Sequence, residues 1–199
     1  CKISCSNSLD EYIIEDILNQ GAQIDLFGVG ERLITAKSEP VFGGVYKLAA
    51  VERNGEMVPK MKISENVEKI TIPHFKKVYR LYGRDTGKAI ADYLTVYDET
   101  VDDSQNLEIF DPDATWKRKE VYHFEARELL VPIYQKGKLV YKRPGIEEIK
   151  KYCAEQVDTL WDEVKRFDNP HNYYVDLSQK LYDIKTELLN EKNERYEKN

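Results

Sequence analysis

Two short turns near the start of the chain carry the residues best suited to chemistry, Ser6-Asn7-Ser8 and Gly28-Val29-Gly30. Serine hydroxyls and bare backbone amides are hydrogen-bond donors, and glycine keeps a Cβ from blocking the approach of a ligand oxygen. Each turn leaves the C-terminal end of a predicted strand and enters a predicted helix. If the two strands are parallel neighbours, the turns lie side by side and aim their N–H groups at one point. Such a corner is an anion cradle, and a phosphate is its natural occupant. The plainer reading of the glycines is a small-residue turn demanded by packing. Glu31 follows the second turn. An acid there complements the helix dipole, and it is expected to stand clear of an anion or to bind something else.

A second set of candidates is cationic. Lys60 and Lys62 alternate along a predicted strand and so share a face. Lys69, Lys76, Lys77, Arg80, Arg84 and Lys88 follow, diluted by Glu65, Glu68 and Asp85. Such a patch can neutralise a pyrophosphate or triphosphate; its plainer reading is a solvated sheet face. Lys47 is either a phosphate partner or an edge charge that discourages aggregation. No catalytic residue is assigned in this chain. His74, His123 and His171 are far apart and read as surface or packing residues. Cys1, Cys5 and Cys153 form no disulfide framework and no ligand spacing, so no metal site is expected and a reducing cytoplasm is the default.

Positioning the two turns requires a βαβα unit. Lys2–Cys5 and Ile24–Phe27 read as strands. Ser8 and Glu11 form a capping box for the helix between them, Gly21 ends that helix, and a further helix starts at Glu31. Past Pro40 the pattern turns to hairpins. Asn54-Gly55 joins 45–52 to 56–63, Asp85-Thr86-Gly87 joins 77–82 to 88–97, and Lys136-Gly137 joins 129–135 to 138–141. Pro132 marks an edge or a bulge, and the acidic stretch 98–113 reads as a solvated loop. Helices are expected over 146–167 and 177–189, with a fraying charged tail at 191–199. In the first of them Ile149, Tyr152, Cys153, Val157, Leu160, Trp161 and Val164 share one stripe, and Leu160, Trp161, Tyr173, Tyr174 and Leu181 suggest an apolar surface that packs either inward or on another subunit. The expected parts are therefore 1–40, 41–144 and 145–199.

The 199 residues hold 30 basic and 36 acidic side chains for a net charge of -6, which argues against nonspecific nucleic-acid binding. Apolar runs are only a few residues long, whereas a bilayer-spanning helix needs about 20; no membrane partner is expected.

Three stretches together resemble the C-terminal part of the nicotinate phosphoribosyltransferase family: Ser6-Asn7-Ser8-Leu9-Asp10-Glu11, Gly21 through Thr35, and Gly43-Gly44-Val45-Tyr46-Lys47-Leu48. Asn169-Pro170-His171 and Val175-Asp176-Leu177-Ser178 are similar to the end of bacterial members. The resemblance implies an α/β fold: the last βα units of an irregular TIM-like barrel, then an antiparallel β-rich region and C-terminal helices. It implies formation of nicotinate mononucleotide and pyrophosphate from nicotinate and phosphoribosyl pyrophosphate, with ATP hydrolysis through a phosphohistidine, in NAD salvage. Mg2+ and ATP are implied, as is a homodimer. Ser6, Asn7, Ser8, Gly28, Val29 and Gly30 match the family loops that hold the 5′-phosphate. Relatives often carry Thr where Glu31 stands here. The phosphorylated histidine and the main nicotinate segment are expected upstream, in an N-terminal part of the same enzyme, so this piece alone is expected to be inactive. The alternative is a noncatalytic phosphate-ligand binding or assembly module.

Overall fold

In the computed structural model, which describes residues 1–41 and 43–197 without the side chains of Glu68 and of 192–197, the chain divides into two compact units, Cys1–Tyr46 and Lys47–Asn199. The first holds β1 (Ser4–Ser6), α1 (Glu11–Asn19), β2 (Leu26–Gly28) and the single-turn α2 (Glu31–Ile34). β1 and β2 pair in parallel, as the βαβα reading requires. Gly21 has φ +84°, a conformation that costs glycine nothing and lets the chain turn out of α1. The expected capping box is replaced. Ser8 sits at φ +51°, and the carboxylate of Asp10 caps α1 by accepting from the Ile13 amide at 3.0 Å. An ionised acceptor at a helix start gains from the dipole as well as from the hydrogen bond.

The second unit begins with β3 (Ala50–Arg53) and β4 (Glu56–Pro59), closed by Asn54 and Gly55 at φ +54° and +84°. Both strands are shorter than their alternation suggested. β4 ends at Pro59, and Lys60 and Lys62 lie beyond it, so strand alternation gives them no common face. β5 (Lys76–Gly83) and β6 (Ala89–Val96) form the central hairpin. The acidic stretch is more than a loop: it contains β7 (Leu107–Phe110), which pairs with β8 (Arg118–Val121). Ile109 and Phe110 are buried there, and two apolar residues suffice to fix a strand inside charged flanks. β9 (Phe124–Glu128) then adds to β5. β10 (Tyr134–Gln135) and β11 (Lys138–Leu139) are a minimal hairpin that leaves Pro132 outside any strand.

α3 spans Ile146–Asp158 and stops well short of 167. Its last carbonyls are claimed from outside. Lys88 Nζ donates to Asp158 O at 2.7 Å and to Leu160 O at 3.1 Å, and the Ala89 amide donates to Thr159 O at 2.8 Å. A lysine on the final carbonyls ends a helix that side-chain periodicity would have prolonged. The apolar stripe is not buried: Ile149, Tyr152, Val157 and Trp161 are all exposed. β12 (Tyr174–Leu177) pairs in parallel with β6, which gives the sheet order β12-β6-β5-β9. α4 (Gln179–Glu197) follows, with the Ser178 hydroxyl accepting from the Leu181 amide at 3.2 Å. It runs through most of the stretch expected to fray; residues 198 and 199 lie outside the described ones.

Tyr79, Leu81, Ala91, Tyr93, Ile109, Val121 and Phe124 form the main core, and Val96, Leu177 and Leu181 a second cluster. Arg80 forks onto Asp92 at 2.7 and 2.9 Å, and the Tyr173 hydroxyl donates to the same carboxylate at 2.9 Å. The pair ties the segment before β12 to the sheet centre. The sheets of both units are small and open.

Candidate functional site

The first unit brings the two sequence turns together. Ser4 faces Leu26, Cys5 faces Phe27 and Ser6 faces Gly28 across the parallel pair. The register is pinned at its start, where the Ile3 amide donates to Asp25 Oδ2 at 2.7 Å and the Asp25 amide to Ile3 O at 2.9 Å. Because Ser6 and Gly28 are opposite one another, the turns that follow them must leave the sheet side by side. Gly28 makes this approach close: a Cβ there would lie 3.0 Å from Ser6 Cβ, and Ser6 would have to yield to admit it. Asn7 (φ +98°) and Ser8 (φ +51°) occupy a backbone region that non-glycine residues seldom adopt, a cost typical of functional corners.

Between the turns is an open recess of about 290 Å³ bordered by Asn7, Ser8, Leu9, Gly28 and Gly30. Such a space suits a small polar ligand rather than a large one. Ser6 and Val29 belong to the same turns but do not line it. Leu9, only 3 % exposed, anchors the first turn from below. Gly30 is the N-cap of α2, and its carbonyl accepts from the Leu33 and Ile34 amides.

One further residue of the recess, Arg32, went unread in the sequence. Arg32 lines it, and Glu31, whose side chain is exposed, borders it as well. Arg32 Nη1 donates to Asp10 Oδ2, and both side chains are about four-fifths buried. The Ile13 amide foremost, and Arg32 after it, hold the Asp10 carboxyl below its ordinary range. Asp10 and Arg32 are 22 residues apart, and only the parallel pairing makes them neighbours. The one local signal was Asp10 itself, three positions ahead of the amide that it caps.

The cations of the second unit are mostly engaged elsewhere. Lys76 Nζ donates to the carbonyls of Ile72, Pro73 and His74, and burial lowers its pKa. Lys77 meets Glu99 O at 3.3 Å, and Arg84 pairs with Asp103 at 2.9 Å. Together with Arg80 on Asp92, these contacts leave no free patch along β5. Lys47 donates to Lys69 O; Lys60 is half-buried and Lys62 exposed. His74 Nδ1 accepts from the Phe75 amide, His123 lies 3.2 Å from Asp85, and the His171 amide donates to Glu163 O. Among the described residues no three His, Cys, Asp or Glu side chains converge to hold a metal ion. No helix among them is long and apolar enough to cross a membrane.

Fold and recess together define a mixed α/β chain whose parallel βα unit sets two polar turns beside one small recess. The comparisons with known proteins agree with that class and narrow it. The family described as nicotinate phosphoribosyltransferase C-terminal domain matches residues 75–185, more than half of the chain. Nicotinate phosphoribosyltransferase from Bacillus subtilis (strain 168) is 42% identical over 98% of this chain and 40% of its own length. The Homo sapiens protein of that name is 32% identical over 90% of this chain and 32% of its own. The crystal structure of human nicotinic acid phosphoribosyltransferase superposes with a TM-score of 0.70 at 26% identity, covering 94% of this chain and 33% of that one. The chain belongs to the nicotinate phosphoribosyltransferase family. It spans about two fifths of the Bacillus relative and about a third of the human one. The domain match begins after the recess, so it is the likeness to the Bacillus protein along 98% of this chain that extends the family assignment over residues 6–32.

Proposed function

We propose that this chain supplies the 5′-phosphate seat of a nicotinate phosphoribosyltransferase acting in NAD salvage. The observation that carries the reading is the facing of Ser6 and Gly28, which sets turns 6–8 and 28–30 around one recess. Phosphoribosyl pyrophosphate and nicotinate are the substrates, nicotinate mononucleotide and pyrophosphate the products. Pyrophosphate leaves the anomeric carbon through an oxocarbenium-like state, and the pyridine nitrogen attacks that carbon. Holding the distant phosphate still fixes the ribose ring against its attacker. Positioning of this kind lowers the barrier without any group of this chain touching the reacting bond. The hydroxyl of Ser8 and the amides of the two turns do the holding. Ser6 and Val29 shape the corners.

The reading has β1 and β2 as the last strands of an irregular TIM-like barrel, completed by an N-terminal part of the enzyme, and a homodimer as the working assembly. Two parallel strands cannot close a barrel, and open strand edges seek partners. ATP and Mg2+, which the family resemblance implies, are assigned to no residue of this chain. The free cysteines Cys1, Cys5 and Cys153 suit a reducing cytoplasm.

Calorimetric titration of the chain with phosphoribosyl pyrophosphate tests the seat. Binding without turnover is expected. Gly30→Glu, which puts bulk and negative charge beside the anion, should weaken that binding by at least about tenfold. Unchanged affinity in the variant would overturn the placement.

A further inference from the structure

We infer that Arg32 is the cationic ligand of the recess and that Asp10 is the positioning residue that aims it at a phosphate monoester. The inference rests on the phosphate-seat reading above and names the charged group that the seat needs. Turn amides and a serine hydroxyl are neutral donors. A phosphate dianion brought among them with no cation nearby would meet Glu31 at the border and Asp10 close by.

Arg32 resolves that conflict. Its side chain is only 21 % exposed, so the guanidinium is held against the protein rather than waving in solvent. It lines the same recess as Asn7, Ser8, Gly28 and Gly30. Nη1 is committed to Asp10, while Nε and Nη2 have no hydrogen-bond partner among the described residues. A guanidinium presents its donors as a flat fork that matches two oxygens of a phosphate, and it stays charged at every physiological pH. The Nη1 contact leaves donors of that fork for a ligand.

Asp10 is fixed by two bonds of its own. Oδ1 accepts from the Ile13 amide and Oδ2 from Arg32, so one carboxylate caps α1 and holds a side chain from α2. The carboxylate therefore links the helices that follow the two turns. Removing it frees the guanidinium to swing, which trades a preorganised contact for a mobile one. Asp10 itself has no need to touch the ligand.

The test is calorimetric titration of the full chain with ribose 5-phosphate, across pH 5 to 8, with inorganic phosphate as a second probe. Wild type should bind ribose 5-phosphate, and more tightly as the phosphate loses its second proton near pH 6. Arg32→Ala should weaken binding by about tenfold or more and flatten that pH rise. Arg32→Lys keeps a charge beside Asp10 but not the fork, and should restore only part of the affinity. Asp10→Asn keeps a good helix cap and should weaken binding by a smaller factor while leaving the pH rise intact. If Gly30→Glu abolishes binding but Arg32→Ala and Arg32→Lys both match wild type, the role of Arg32 is wrong and the seat stands. If wild type binds neither probe, the seat is wrong and the role of Arg32 falls with it.

Discussion

The two units differ in what holds them. In Lys47–Asn199 a four-stranded sheet buries Leu81, Ala91 and Phe124 completely, and the core clusters reach from β5 to α4. In Cys1–Tyr46 neither helix has a buried residue, and Leu9 is the one buried large apolar side chain among the described residues. Yet the recess lies in that thin unit. Its geometry is kept by polar fastenings: Asp25 on the Ile3 amide, Asp10 on Ile13 and Arg32, and the Ser38 hydroxyl on Glu11. Hydrogen bonds fix directions, whereas apolar burial supplies energy without direction. The contrast is between a part built for stability and a part built for aim.

Phe124→Ala should break the stable side of this contrast. Phe124 is fully buried in the main core, and truncation should cost about 3–5 kcal/mol in urea unfolding. A loss below about 1 kcal/mol would mean that the core around β5 and β9 is not what stabilises the unit.

Asp176→Asn should sharpen it by exposing a polar liability inside the stable unit. Asp176 is 3 % exposed on β12, and burial, aided by the charge of Asp111, pushes its pKa up to about 6. A carboxyl with a raised folded pKa holds its proton more tightly when folded. Its ionisation therefore opposes folding, increasingly as pH climbs from the unfolded value through 6, and fully above it. The variant should gain up to about 3 kcal/mol at pH 7.5 and nothing at pH 3. Equal gains at both values would show that the charge is not the cause.

Gly28→Ala probes the thin unit and should have the smallest effect on stability, about 1 kcal/mol or less, since Ser6 needs to yield by only a few tenths of an ångström. Hydrogen exchange should quicken in turns 6–8 and 28–30 alone. Faster exchange spread through β5 and β6 would contradict the separation of the two roles.

Much of the recess was legible because its signals are local. Strand, polar turn, helix and glycine turn follow one another within residues 2–35, and each can be read from a few neighbouring side chains. The capping residue was misread because Ser8 and Asp10 are both good caps; which one serves depends on the backbone angles of the turn, and Ser8 is left-handed. Arg32 was missed because its partner lies on another element. In the second unit Asn54-Gly55 and Asp85-Thr86-Gly87 announced their hairpins by turn chemistry. β7 was hidden by surrounding acids, and β12 by its partner, a strand some eighty residues earlier. The stop of α3 depended on Lys88, which no periodicity within the helix can report.

The sequence alone determined the turns, the parallel βα unit and the central hairpins, because backbone preference and short-range spacing decide those. Only the tertiary structure decided that β12 joins β6 in parallel, that α3 ends at Asp158 and that Arg32 meets Asp10. Each of these is a contact between segments distant in the chain. Their cost is loop entropy and their reward is a partner, and neither is written in the residues next door.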